Sequence, residues 1–167
     1  MNIEELNSLA VPDLEKKLLQ CCGSSFWVKR LIQARPFLHP GDLFFKADEA
    51  WDKTTEKDRL EAFSHHPKIG DLKSIEKKYA STKVFAKEEQ ASVNTAAPVI
   101  LEQLANGNSL YEKKFGFILI VCATGKKAGE MLSLLEERLK NDRPAELRIA
   151  SAEQNKITKL RLQKLLS

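Results

Sequence analysis

Residues 117–122 read Phe117-Ile118-Leu119-Ile120-Val121-Cys122, a run of branched and aromatic side chains that locally resembles a β-strand. A strand needs a partner to take its backbone hydrogen bonds, and no partner strand is visible elsewhere in the chain. The run is therefore expected to be buried helix or extended chain, and the fold all-α.

Outward from this run, helical periodicity dominates. Downstream, Thr124 or Gly125 starts a helix to Asn141, and Pro144 starts a last one that reaches almost to the end. Upstream, Asn108 or Ser109 caps a helix through Lys114. Before it a long helix runs from about Lys87 to Leu104 and stops at Asn106-Gly107. Pro98 should kink that helix, because its missing N–H leaves the Asn94 carbonyl unpaired. His65 to Ala86 reads as irregular, with a short helical piece around Ser74 to Tyr79. Nearer the N-terminus, helices are expected from Ile3 to Leu9, from Pro12 to about Cys22, from Ser24 or Ser25 to a point before Pro36, from Asp42 to Asp52 and from Thr55 to Ser64. There is no internal repeat and no Gly-, Pro- or Ser-rich linker. The expectation is one domain over residues 1–167, a bundle of about eight to nine helices.

The composition of the 167 residues fits a globular chain, with 43% hydrophobic and 30% charged residues. Cys21, Cys22 and Cys122 are odd in number and irregular in spacing, which argues against a disulfide framework and for a reducing compartment. They read as buried small hydrophobes. The polar N-terminus does not resemble a signal peptide, and the longest apolar run is too short to span a bilayer. A cytoplasmic location with no membrane partner is expected. The formal charge of +4 lies in the C-terminal part: from Lys126 onward there are 10 basic and 6 acidic residues, and 17 of each before it. Interleaved acids and missing aromatics favour a solvated helical surface over a nucleic-acid site.

Three places suit chemistry. In Ser64-His65-His66-Pro67-Lys68-Ile69-Gly70, Pro67 disfavours the helical region for His66 and presents it just past a helix end. Histidine is the side chain best suited to proton transfer near neutral pH, although an exposed helix-end histidine reads equally well. No second ligand pair is spaced for zinc, so no metal is expected. In the helix from Lys87, with Val93 at zero on a helical wheel, Glu89 falls at about 320° and Gln90 at about 60°, at the edges of the apolar arc. A carboxylate there is costly unless bonded, but a plain first-turn glutamate is the alternative. In the last helix Arg161 lies at about 40° from Ile157, on the apolar side. It is aimed at the protein or a cleft, suited either to planar recognition of a carboxylate or to an ion pair with a helix acid. No phosphate loop, nucleophile elbow or cofactor fingerprint is present.

His66-Pro67-Lys68-Ile69-Gly70, Glu89-Gln90, Tyr111-Glu112-Lys113-Lys114-Phe115-Gly116-Phe117, Val121-Cys122-Ala123 and Arg161, in this order and spacing, resemble the OHCU decarboxylase family. OHCU is 2-oxo-4-hydroxy-4-carboxy-5-ureidoimidazoline, an intermediate of urate oxidation. The resemblance covers nearly the whole chain, most clearly residues 63–162. It implies an all-helical fold, no cofactor, a homodimer, and conversion of OHCU to (S)-allantoin and CO2. It further implies His66 and Glu89 as catalytic residues. Pro67, Ala86, Gln90, Ile120, Val121, Cys122, Ala123 and Arg161 would bind substrate. Two features depart from the family: Ala86 stands where serine is common, and Pro98 falls inside the Glu89 helix. Two rival readings remain: another cofactor-free lyase or hydrolase of a related ureide or hydantoin ring, and a non-catalytic basic helical binding module.

Overall fold

The computed structural model describes residues 1–68 and 98–167. Among them are eight helices and no strand: α1 (Ile3–Ser8), α2 (Val11–Cys21), α3 (Ser25–Gln33), α4 (Pro40–Asp52), α5 (Glu56–Ser64), α6 (Pro98–Phe115), α7 (Ala128–Arg138) and α8 (Arg143–Leu166). The fold is all-α, as the reading of residues 117–122 required. The chain falls into two compact units: Met1–Ala62 with Gln154–Ser167, and Phe63–Glu153.

The first unit follows local rules closely. Asn2 and Glu5 form a capping box at the start of α1, with bonds of 2.8 and 3.0 Å. Ser24 caps α3 by accepting the Trp27 N–H, as expected. α4 begins two residues before the expected Asp42. There His39 Nδ1 takes the capping role by accepting the Asp42 N–H at 3.1 Å, and Pro40 opens the first turn. The core joins Leu6, Leu14, Leu18, Trp27, Leu31, Phe37, Leu43 and Leu162, all buried. Trp27 satisfies its indole N–H on the Ala47 carbonyl at 3.0 Å. Asn7 brackets Phe37, donating to its carbonyl at 2.8 Å and accepting its N–H at 2.9 Å.

In the second unit the expected stop at Asn106-Gly107 does not occur. α6 runs without a break through both residues to Phe115. Gly107 serves packing instead: a Cβ there would lie 2.5 Å from Leu135 Cδ2 on α7. The real stop is Gly116, at φ +80°, in the left-handed region that glycine adopts without cost. α7 starts at Ala128, later than the expected Thr124 or Gly125, because Gly125 at φ +78° belongs to a turn in which the Lys126 N–H bonds the Ala123 carbonyl. Glu130 then accepts the Lys127 N–H at 2.8 Å at the start of the helix. The expected helical piece at residues 74–79 and the helix start at Lys87 lie outside the described residues.

Candidate active site

Between α6 and α7, residues 117–123 are neither helix nor strand, yet Phe117, Leu119, Ile120, Val121 and Ala123 are all buried. Buried backbone without a regular ladder must find partners elsewhere, and here side chains supply them. The Ile120 carbonyl accepts from Arg138 Nη1 at 2.5 Å. The Cys122 N–H donates to a Glu153 carboxylate oxygen at 2.7 Å. The Cys122 carbonyl accepts from Lys126 Nζ at 3.1 Å.

Arg138 is itself fixed. Its Nε donates to Glu146 Oε1, whose side chain is fully buried. The Tyr111 hydroxyl donates to the same oxygen at 2.5 Å, and Asn141 Nδ2 reaches Glu146 Oε2 at 3.0 Å. Burial drives the Tyr111 phenol well above its ordinary range, with the Glu146 carboxylate adding to the shift and the Arg138 cation opposing it. A buried pair of this kind is not a cheap source of stability, because desolvation offsets the attraction. What it secures is a guanidinium held at a defined angle to the Ile120 carbonyl.

His66 follows the end of α5 by two residues and is half-buried, and its N–H donates to the Phe63 carbonyl at 3.1 Å. Pro67 is buried. Phe63 and Phe117, each three residues before His66 and Ile120, have ring centroids 5.4 Å apart. Phe117 also stacks on Phe115 at 6.2 Å and meets the edge of Tyr111 at 5.9 Å. His66-Pro67 and the 120–123 segment therefore leave one aromatic cluster. Beyond Pro67, Lys68 pairs with Glu112 of α6 at 2.6 Å.

Arg161 is 4% exposed, as the helical wheel required, and donates to the Gln20 carbonyl at 3.3 Å within the first unit. Cys21 and Cys22 lie near it. Burial pushes their thiols up to about 12 and about 11, against the attraction of the Arg161 cation. Glu89, Gln90 and Ala86 lie outside the described residues. Arg138, Glu146 and Glu153 escaped the sequence reading. On the same wheel that placed Arg161, Glu146 and Glu153 fall within about 40° of Ile157, so acids on the apolar arc were there to be seen.

The family model for OHCU decarboxylase matches residues 7–163. The chain is 41% identical, over 88% of its length, to the uric acid degradation bifunctional protein TTL of Arabidopsis thaliana, and it spans only 45% of that relative. It is 26% identical, over 99% of its length, to the 2-oxo-4-hydroxy-4-carboxy-5-ureidoimidazoline decarboxylase of Halalkalicoccus jeotgali, of which it covers 92%. A crystal structure of OHCU decarboxylase in the presence of (S)-allantoin superposes with a TM-score of 0.76 at 38% identity, covering 90% of this chain and 97% of that one.

Proposed function

Because the chain belongs to the OHCU decarboxylase family, we propose that it converts OHCU to (S)-allantoin and CO2 in urate degradation. The observation that carries this reading is the 38% identity over 97% of an OHCU decarboxylase solved in the presence of (S)-allantoin. The substrate supplies its own electron sink. When the bond from C4 to the carboxylate breaks, the electron pair forms a C4–C5 double bond and the C5=N electrons move to nitrogen, which takes a proton. The C4 hydroxyl then loses its proton as C5 gains one, giving the amide carbonyl of the hydantoin ring at C4 and the new stereocentre at C5. The protein has to orient the carboxylate, hold charge and direct a proton to one face of C5.

In this scheme His66 is the acid/base residue at the C4 hydroxyl and carboxylate. Glu89 grips ureido or ring N–H groups and fixes the face that is protonated, with Gln90 beside it. Pro67, Ala86 and the backbone of Ile120, Val121, Cys122 and Ala123 line the substrate. Arg161 receives an anionic or carbonyl edge. These roles rest on the resemblance of the motifs, and the burial of Pro67, Val121 and Arg161 is in keeping with them. The same reading includes a cofactor-free, cytoplasmic homodimer. Among the described residues no helix is long and apolar enough to cross a membrane.

The test is to generate OHCU in situ from urate with urate oxidase and hydroxyisourate hydrolase and to follow circular dichroism. The expected result is rapid growth of an (S)-allantoin signal that persists after chelation of metals. Racemic allantoin forming at the spontaneous rate would reject the assignment in favour of a related ureide.

A further inference from the structure

The carbonyl and N–H of a trans peptide unit point in opposite directions, and the one cis bond among the described residues is Arg35–Pro36. Both peptide units flanking Val121 are therefore trans. In the first, Arg138 holds the Ile120 carbonyl at 2.5 Å, and the other end of the unit is the Val121 N–H. In the second, Glu153 holds the Cys122 N–H at 2.7 Å, and the other end is the Val121 carbonyl. Among the described residues neither of these Val121 groups has a hydrogen-bond partner, although Val121 is 6% exposed. On a residue this little exposed, a backbone donor and acceptor without partners among the described residues are suited to receive the polar groups of a ligand.

The two clamps carry opposite charges, and each sits at the end of its peptide unit where polarisation helps. A cation on the Ile120 carbonyl strengthens the Val121 N–H as a donor. An anion on the Cys122 N–H strengthens the Val121 carbonyl as an acceptor. Both clamps are anchored on helices, Arg138 at the end of α7 and Glu153 within α8, which suits a site that must hold its geometry.

We propose that Arg138 and Glu153 are positioning residues that fix the peptide units on either side of Val121, so that its N–H and carbonyl meet an acceptor and a donor of the substrate's ureide. The inference rests on the decarboxylase reading and deepens it. It also gives the buried Glu146 a purpose, since Glu146 and Tyr111 occupy the remaining faces of the guanidinium and leave Nη1 for Ile120.

The test is steady-state decarboxylation with Glu153→Ala and Glu153→Gln, recording KM, kcat and the enantiomeric excess of the allantoin. Glu153→Ala is expected to raise KM roughly tenfold, the cost of a lost charge-assisted hydrogen bond, and to lower the enantiomeric excess. Glu153→Gln keeps an oxygen that accepts the Cys122 N–H and should recover most of both. A purely structural role would shrink the active fraction, lowering kcat with KM and enantiomeric excess unchanged, and that result overturns the proposal. If Glu153→Ala fails to fold, Glu153→Asp, which withdraws the carboxylate by one methylene, must show the same rise in KM. A wild-type protein inert toward OHCU overturns the functional reading and this inference together. An active wild type with an indifferent Glu153 overturns the inference alone.

Discussion

The two units bury different things. In the unit formed by residues 1–62 and 154–167, the centre is leucine, tryptophan and phenylalanine, and the backbone is paired inside short, well-capped helices. In the unit formed by residues 63–153, an ion pair and a phenol lie beneath an irregular segment whose peptide groups are held by side chains. An apolar core tolerates approximate solutions, because the hydrophobic effect is non-directional. A buried polar network does not, since each group left unpaired costs its full desolvation. A fold that spends stability on orienting residues 120–123 has a use for that orientation, in keeping with the substrate-lining role proposed for this segment.

The contrast can be broken most sharply at Glu146. Glu146→Ala leaves the Arg138 guanidinium buried without its carboxylate and is expected to cost about 3–5 kcal/mol by chemical denaturation. A loss below about 1 kcal/mol, the worth of an exposed pair, would mean that the network is not what holds the second unit. Gly107→Ala tests close packing of α6 on α7. The new methyl meets Leu135 Cδ2, so a loss of about 1–3 kcal/mol is expected despite the better helix propensity. Leu135→Ala in the same chain should make Gly107→Ala far less costly; additive losses would contradict the contact.

Alkaline pH sharpens the comparison from the other side. Cys21, Cys22 and Tyr111 all have acidities weakened by burial, so the unfolded chain releases these protons before the folded one does. The contribution of the thiols is fully present below about pH 9 and is lost as pH rises through 9 to 12, and that of Tyr111 begins to be lost only above about pH 10. At pH 10 the loss is on the order of 1 kcal/mol for each thiol. A flat unfolding free energy between pH 8 and 10.5 would refute the burial of these groups. The smallest effect belongs to the first unit: Ser24→Ala removes the cap of α3 and should lower its midpoint of unfolding by the equivalent of about 1 kcal/mol.

What the sequence disclosed follows the same division. Helices of the first unit could be read within a residue or two, because caps and apolar periodicity are local. The continuous α6 could not: Asn106-Gly107 has the composition of a stop, and only Leu135 on another helix reveals that the glycine is there for space. Residues 117–123 look like a strand for an equally physical reason. Their side chains are those of a buried strand, but the partners of their backbone are Arg138, Glu153 and Lys126, a pairing that no residue pattern announces. In the candidate site, Pro67 marked His66 past the end of α5, and the helical wheel marked Arg161 as buried. Glu89, Gln90 and Ala86 stay as the sequence presents them.

The most direct test of the account is the decarboxylation of enzymatically generated OHCU by His66→Asn, a change that keeps the size and polarity of the side chain but removes its proton chemistry. With helical circular dichroism and thermal midpoint unchanged, the account predicts that allantoin forms at the spontaneous rate and as a racemate. Retention of wild-type turnover and of the (S) product would contradict it, and would move the acid/base role away from the turn that follows α5.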